Sequence, residues 1–300
     1  MAKINSVSTE PGSYRIAEAD YHADPCPVPS LSRSTIMDLL YDCPRRAWFN
    51  HPRLNPDYKE EESEKFDIGK AAHAMLLEGR DAVHVVEADD WRTKAAKQAR
   101  EEARQAGKIP LLEDRYHEVK RMVNHAISEL AGSEIGIQDL HDEGESELSY
   151  IWMESGLWMR VRPDWISKDR RIVLDYKTTG ASANPEDYSR VIISSGLDVQ
   201  DAFYTRGIKA VDGTEPDFYF MVQETKPPYL CSFIDLDMVF REIGQEKTKK
   251  GISIWRDCMA TDKWPGYPPK VCTVEAPGWA MAQWEYRKFA INQMQEGINE

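Results

Sequence analysis

No run of apolar residues in this 300-residue chain approaches the roughly 20 positions that a membrane-spanning helix needs. The opening MAKINSVSTEPG also has no apolar centre of the kind a secretory signal carries, so a cytoplasmic address is the expectation. Cysteine is scarce. The five, Cys26, Cys43, Cys231, Cys258 and Cys272, are odd in number and scattered, with no C-x-x-C, so neither a disulfide framework nor a zinc site is indicated. No Gly/Ser-rich tract divides the sequence, which favours one large domain. Positive charge is in deficit as well, with 38 Lys and Arg against 51 Asp and Glu for a net charge of -13. That balance argues against a protein that coats nucleic acid with its whole surface. It leaves room for an acidic exterior with a local basic lining, and equally for an acidic decoy that mimics DNA.

What the chain does have is a hydrophobic fraction of 41%, enough for a real core, and one stretch with unusual chemistry. Leu157 to Thr179, LWMRVRPDWISKDRRIVLDYKTT, reads as two strands joined at Ser167-Lys168-Asp169-Arg170, because both flanks alternate with period two and are rich in β-branched and aromatic residues. With the turn centred between Lys168 and Asp169, Asp164 falls opposite Val173 and Arg162 opposite Asp175. Asp164 and Asp175 are then diagonal neighbours on one face, with Lys177 beside them and Leu174 and Tyr176 on the other. Like charges on a half-buried face are costly unless neutralised, and a hard divalent cation held by one or two carboxylates answers that need. A surface hairpin with a structural Asp-Lys pair fits the spacing too. Acid-x-Lys recurs at Asp57-Tyr58-Lys59 in a Pro- and Glu-rich stretch, at Glu118-Val119-Lys120 in a helical pattern, and at Glu224-Thr225-Lys226, which ends an apolar run with no Pro-Asp before it at hairpin distance.

Arg162-Pro163-Asp164 followed by Asp175-Tyr176-Lys177 resembles the PD-(D/E)xK nuclease signature. Gly69-Lys70-Ala71-Ala72-His73 is similar to the G-x-x-x-H helix of the RecB-like branch, and Gln200-Asp201-Ala202-Phe203-Tyr204 to its Q-x-x-x-Y motif. With SLSRSTIMDLL near the start and VQDAFY, their order looks most like the nuclease domain of exonuclease VIII, the RecE type. The resemblance runs from about Tyr21 to Lys226, weakens between Arg92 and Leu130, and is least specific after Glu246. It implies an α/β fold, a mixed central β-sheet flanked by helices, with a restriction-endonuclease-like core. It implies Mg²⁺, with Mn²⁺ able to substitute, held by Asp164, Asp175, the Tyr176 carbonyl and His73. Lys177 would manage the attacking water, Gln200 and Tyr204 would position the strand, and Glu147 would lie near the metals. Cys43-Pro44 is similar to the first cysteine of iron-sulfur relatives, but the late cysteine spacing is missing, so no cluster is expected. Kinship further implies 5'-to-3' digestion of linear double-stranded DNA, a ring-shaped homo-oligomer, and cooperation with a single-strand annealing recombination protein. An endonuclease or repair nuclease of the same superfamily is the alternative within enzymes, and the acidic decoy the alternative outside them.

The remaining residues frame this centre. Pro11, Pro25, Pro27 and Pro29 punctuate residues 1–30, read as an extended arm. Residues 31–245 form the core, beginning with a helix capped by Ser32 or Ser34 and interrupted at Cys43-Pro44. Asn55 to Lys65 reads as an acidic loop and Phe66 to Leu77 as a helix bearing Gly69 and His73 one turn apart. A helical insertion at about 90–130 opens with a polar helix, Arg92 to Arg104, that either projects into solvent or lines a DNA path. Glu145 to Trp152 reads as a single strand, Asp198 as an N-cap before Gln200, and Phe218 to Val222 with Tyr229 to Ile234 as a hairpin. Residues 246–300 read as a helical and looped extension.

Overall fold

The structure is a computed structural model and describes residues 10–59, 68–79 and 82–299. Most of the expected acidic loop, from residue 60, and the start of the helix at Phe66 lie outside the described residues. In chain order the elements begin with β1 (Gly12–Tyr14), α1 (Glu18–His22), α2 (Arg33–Tyr41), α3 (Pro44–Phe49) and α4 (Ile68–Leu77). β2 (Val83–Val86), α5 (Lys94–Gln105), β3 (Ile109–Leu112), α6 (Glu113–Gly132) and α7 (Leu140–Glu143) follow. The strands β4 (Gly144–Ser146), β5 (Ser149–Glu154), β6 (Leu157–Val161), β7 (Trp165–Ser167) and β8 (Ile172–Thr179) then run almost without interruption. α8 (Pro185–Ser195), α9 (Leu197–Asp212), β9 (Asp217–Glu224), β10 (Cys231–Asp235), α10 (Met238–Thr261) and α11 (Ala280–Asn299) complete the chain. No helix among the described residues is long and apolar enough to cross a membrane.

The central sheet has the order β10-β9-β8-β7-β4 and is mixed: β8 and β9 are parallel, the other pairs antiparallel. A parallel pair needs a crossover, which α8 and α9 supply. Alternation along β8 and β9 sorts side chains into two cores. Val173, Phe218, Phe220 and Val222 join Ile36, Val199, Phe203 and Trp255 on the face covered by α2, α9 and α10. Leu174, Tyr176 and Met221 join Ala72, Met75, Met122 and Val123 of α4 and α6 on the other. The expected α/β architecture, a mixed sheet between helical layers, is what the chain adopts.

Several local expectations change. Glu145 to Trp152 is not one strand, and Leu157 does not lead straight into the β7–β8 hairpin. β4–β7 and β5–β6 share one continuous antiparallel register, but β5 and β6 belong to a separate three-stranded sheet in which β1 pairs with β5. The break falls at Glu147, whose φ of 56° lies in the left-handed region, and across from it at Pro163, which has no N–H to give a ladder. One bond spans the break, from Glu147 N–H to the Asp164 carbonyl at 3.0 Å. Beside it, Gly144 is obligatory: a Cβ there would stand 2.1 Å from the Trp165 ring.

The β7–β8 register is also shifted by two. Trp165 pairs with Leu174 and Ile166 with Val173, so Asp164 stands across from Asp175 itself. The turn lies further along than expected because Arg170 takes the left-handed conformation (φ 64°) and Ser167 Oγ accepts from the amides of Arg171 and Ile172. A shift of two keeps every side chain on its face.

The ends of the core also move. Residues 12–14, expected in an extended arm, pair with β5 from Gly12↔Ile151 to Tyr14↔Ser149, and Tyr21 packs with Ile16, Cys26, Ile151 and Trp158. At the other end α10 packs on α9 and α2 with Trp255 fully buried, so the first compact unit ends at Gly266 rather than at 245. Tyr267–Glu300, with α11, is a second unit. Gly196 rather than Asp198 caps α9; Asp198 is buried and paired with Lys247 of α10 at 2.5 Å. α9 and α10 approach closely because Gly244 has no side chain: a Cβ would meet the Asp198 carbonyl oxygen at 2.1 Å. Gly244→Ala is therefore expected to cost about 1–3 kcal/mol in urea unfolding. An unchanged midpoint would contradict this packing.

Candidate active site

Four elements aim side chains at one cleft. α4 carries His73, the break between the two sheets carries Glu147 and Asp164, β8 carries Asp175 and Lys177, and α9 carries Gln200 and Tyr204. His73 Nε2 lies 3.1 Å from Asp164 Oδ2, and its Nδ1 lies 3.9 Å from Glu147 Oε1. One ligand atom from each of the three falls within 4.8 Å of the others. Asp164 is fixed from the strand side, since its Oδ2 accepts the Tyr176 N–H at 2.8 Å. Glu147 is fixed by Arg162, whose Nε donates to Oε2 at 2.6 Å. The Arg162 guanidinium lies over the Tyr21 ring at 4.9 Å, and Arg160 lies over that ring at 5.5 Å.

Asp175 is placed differently from the sequence-based expectation. It is wholly buried, paired with Lys177, and its Oδ2 accepts from Gln200 Nε2. The group that could hold a metal therefore comprises His73, Glu147 and Asp164, with Asp175 turned toward the α9 side. Tyr176 sends its hydroxyl the other way, to Gln223 in the second core. Tyr204 packs edge-on against Phe218 and faces the cleft. Arg160 is buried against Asp24 at 3.1 Å and Ser30. Tyr21 carried no signal in the sequence, because its role comes from an arm whose pairing is set by distant strands.

The electrostatics follow from the crowding. Burial pushes Glu147 up to about 7, with Arg162 opposing and Asp164 reinforcing the shift. Burial and the neighbouring Asp164 charge raise Asp175 to about 6, against the pull of Lys177. Asp164 moves down: burial works against its charged form, but Lys177 and His73 outweigh it. Burial likewise opposes the charged forms of His73 and Lys177, yet the surrounding carboxylates raise both. Nitrogen from one imidazole and oxygen from two carboxylates is a donor set that suits a hard divalent ion.

The cleft continues on both sides of this group. A cavity of about 1130 Å³ runs from His73, Glu147 and Asp164 toward α5 and β3. A second, of about 520 Å³, runs toward α2 and α8 past Arg33, Tyr188 and Gln200. Tyr21, His22, Asp164, Lys177, Thr178 and Tyr204 line both. The polar helix α5, which the sequence left between solvent and a DNA path, buries Ala96 and Ala103 and presents Arg100 and Arg104 to the larger cavity.

Asp175 has Lys177 as its compensating cation, so truncating the amine strands a buried charge. With chelator present, Lys177→Met is expected to lower stability by about 3 kcal/mol at pH 8. Asp175 takes up a proton as the pH falls through about 6, so the penalty should shrink at pH 5. Urea unfolding of parent and variant at both pH values measures this, and a pH-independent difference would contradict it.

Comparison with known proteins places this geometry. A crystal structure from Eubacterium rectale, named "Putative exonuclease", superposes with a TM-score of 0.56 at 11% identity, covering 89% of this chain and 98% of that one. At that identity it speaks to the fold alone. The structure of SSO0001 (14% identity, 69% of this chain and 99% of that one) reaches a TM-score of only 0.27, too low to bear on the fold. No curated protein matches. A family model described as "PDDEXK-like domain of unknown function (DUF3799)" covers residues 32–276, and the chain belongs to that family.

Proposed function

We propose that this chain is a divalent-metal-dependent deoxyribonuclease that degrades linear double-stranded DNA from its 5' ends and leaves single-stranded tails for recombination. One observation carries the reading: His73, Glu147 and Asp164 meet beside the Asp175–Lys177 pair in an open cleft of a PDDEXK-like fold. The name of the Eubacterium rectale protein and the resemblance to exonuclease VIII support the choice of an end-dependent activity. The resemblance to exonuclease VIII by itself carries the finer expectations of Mg²⁺ as the ion, a ring-shaped homo-oligomer and a single-strand annealing partner.

His73, Glu147 and Asp164 would hold the ion, with Asp175 and the Tyr176 carbonyl adjoining from β8. A divalent ion bound there supplies Lewis acidity and a water of lowered pKa. The rest is done by the chain. Lys177 keeps its proton at neutral pH because the carboxylates raise its pKa, so it donates to water or to a phosphate oxygen rather than acting as a base. Gln200 holds the Asp175 carboxylate in one rotamer and is a positioning residue. Tyr204 retains its phenolic proton, since burial raises its pKa far above the ordinary value, and it stands at the junction of the two cavities as a donor toward the strand. Arg162 neutralises Glu147 in the metal-free state.

A linear duplex labelled at one end and a closed circle are incubated with Mg²⁺ and, separately, with EDTA. End-dependent loss of the linear form in Mg²⁺, an intact circle, and no reaction in EDTA are expected. Asp164→Asn and Glu147→Gln should each lower turnover at least 100-fold, the order attached to removing a group that stabilises developing charge. Nicking of the circle would favour an endonuclease, and no cleavage of either form would overturn the proposal.

A further inference from the structure

Trp91 is the aromatic residue on the wall of the large cavity for which the fold has no use. It sits in the loop between β2 and α5, half-buried, and belongs to none of the three hydrophobic cores. Its ring carries the Arg100 guanidinium at 5.3 Å from the centroid, and both line the cavity that leads to His73 and Asp164. Around them α4, α5 and the approach to β3 contribute Lys70, Arg104 and Lys108 to the same wall. In a chain with a net charge of -13, this cavity reverses the sign: seven Lys and Arg line it against five Asp and Glu, among them Glu78 just past the end of α4.

Such a combination fits one class of ligand. Cationic side chains along a groove track a phosphate backbone, and an aromatic face gives unpaired bases a place to stack without regard to sequence. Bases inside a duplex pair through their edges and cover their faces against the base pairs above and below, so they offer nothing to such a ring. We infer that Trp91 and Arg100 form a base-stacking subsite for a single DNA strand entering or leaving the active site. Lys70, Arg104 and Lys108 hold its phosphates. The inference rests on the nuclease reading and specifies which form of DNA occupies the larger cavity.

The test measures binding without cleavage. Fluorescence anisotropy in EDTA compares the full chain and its variants on a short single strand, a blunt duplex, and a single strand bearing two adjacent abasic positions. Trp91→Ala is expected to weaken single-strand binding about tenfold and Trp91→Phe to restore most of it, while blunt-duplex affinity stays unchanged. The abasic strand should bind the parent as weakly as the intact strand binds Trp91→Ala, and removing both ring and bases should bring no further loss. Arg104→Ala should lower the salt dependence by about one ion and weaken all strands alike. Thermal unfolding of Trp91→Ala should match the parent, because the ring lies outside the cores. Equal binding of the single strand by parent and Trp91→Ala, or an equal loss on the blunt duplex, overturns the stacking subsite. A parent that cleaves DNA while Trp91→Ala behaves identically overturns this inference alone; a parent that binds no DNA overturns the nuclease reading with it.

Discussion

Three carboxylates share one cleft with an imidazole and an ammonium, and the fold must bear the cost of removing that charge from water. Glu147 and Asp175 are driven toward their neutral forms by burial, while Asp164 stays charged because Lys177 and His73 stand against it. Left metal-free, the site is balanced by Arg162 on one acid, Lys177 on another and a shared histidine between two. A divalent ion resolves the same crowding more completely than any side chain can, so the metal reading and the displaced titration of these acids have one cause.

What brings the acids together is a fracture in the sheet. A regular β4–β7 and β5–β6 ladder would have carried Glu147 and Asp164 as unremarkable neighbours on a flat surface. Instead the left-handed Glu147 and the N–H-less Pro163 send the strands into two sheets and leave both side chains at the edge, within reach of α4. The N-terminal residues then brace the corner. Asp24, itself left-handed, accepts from Ser30 and faces both Arg160 and His51, all of them buried. That network holds Arg160 under one part of the Tyr21 ring while Arg162 covers another and reaches Glu147. A segment read from sequence as an extended arm thus braces the side chain that pairs with an acid of the candidate site.

Much of the site was legible because period two is robust. The β7–β8 register was off by two positions, yet Asp175, Lys177 and the opposing Tyr176 still fell on their observed faces, since only an odd shift exchanges faces. His73, one turn from Gly69 on an apolar helix, was legible as a site residue through its resemblance to the G-x-x-x-H motif. Glu147 was legible only by resemblance, as nothing local distinguishes a strand-end acid from one placed at a sheet break. The break itself, the pairing of β1 with β5, and the docking of α10 depend on contacts between residues far apart in the chain. Local propensity contains none of them. Trp91 was invisible for the same reason: its loop gains meaning only once β2 and β3 pair and turn α5 toward the cleft.

The account turns on whether His73, Glu147 and Asp164 enclose a cation. Anomalous diffraction from crystals soaked in Mn²⁺ tests this most directly. The geometry predicts a peak bounded by His73 and by one oxygen each of Glu147 and Asp164, with Arg162 displaced from Glu147. A map with no peak there, or with Mn²⁺ bound elsewhere while Arg162 still grips Glu147, would contradict it.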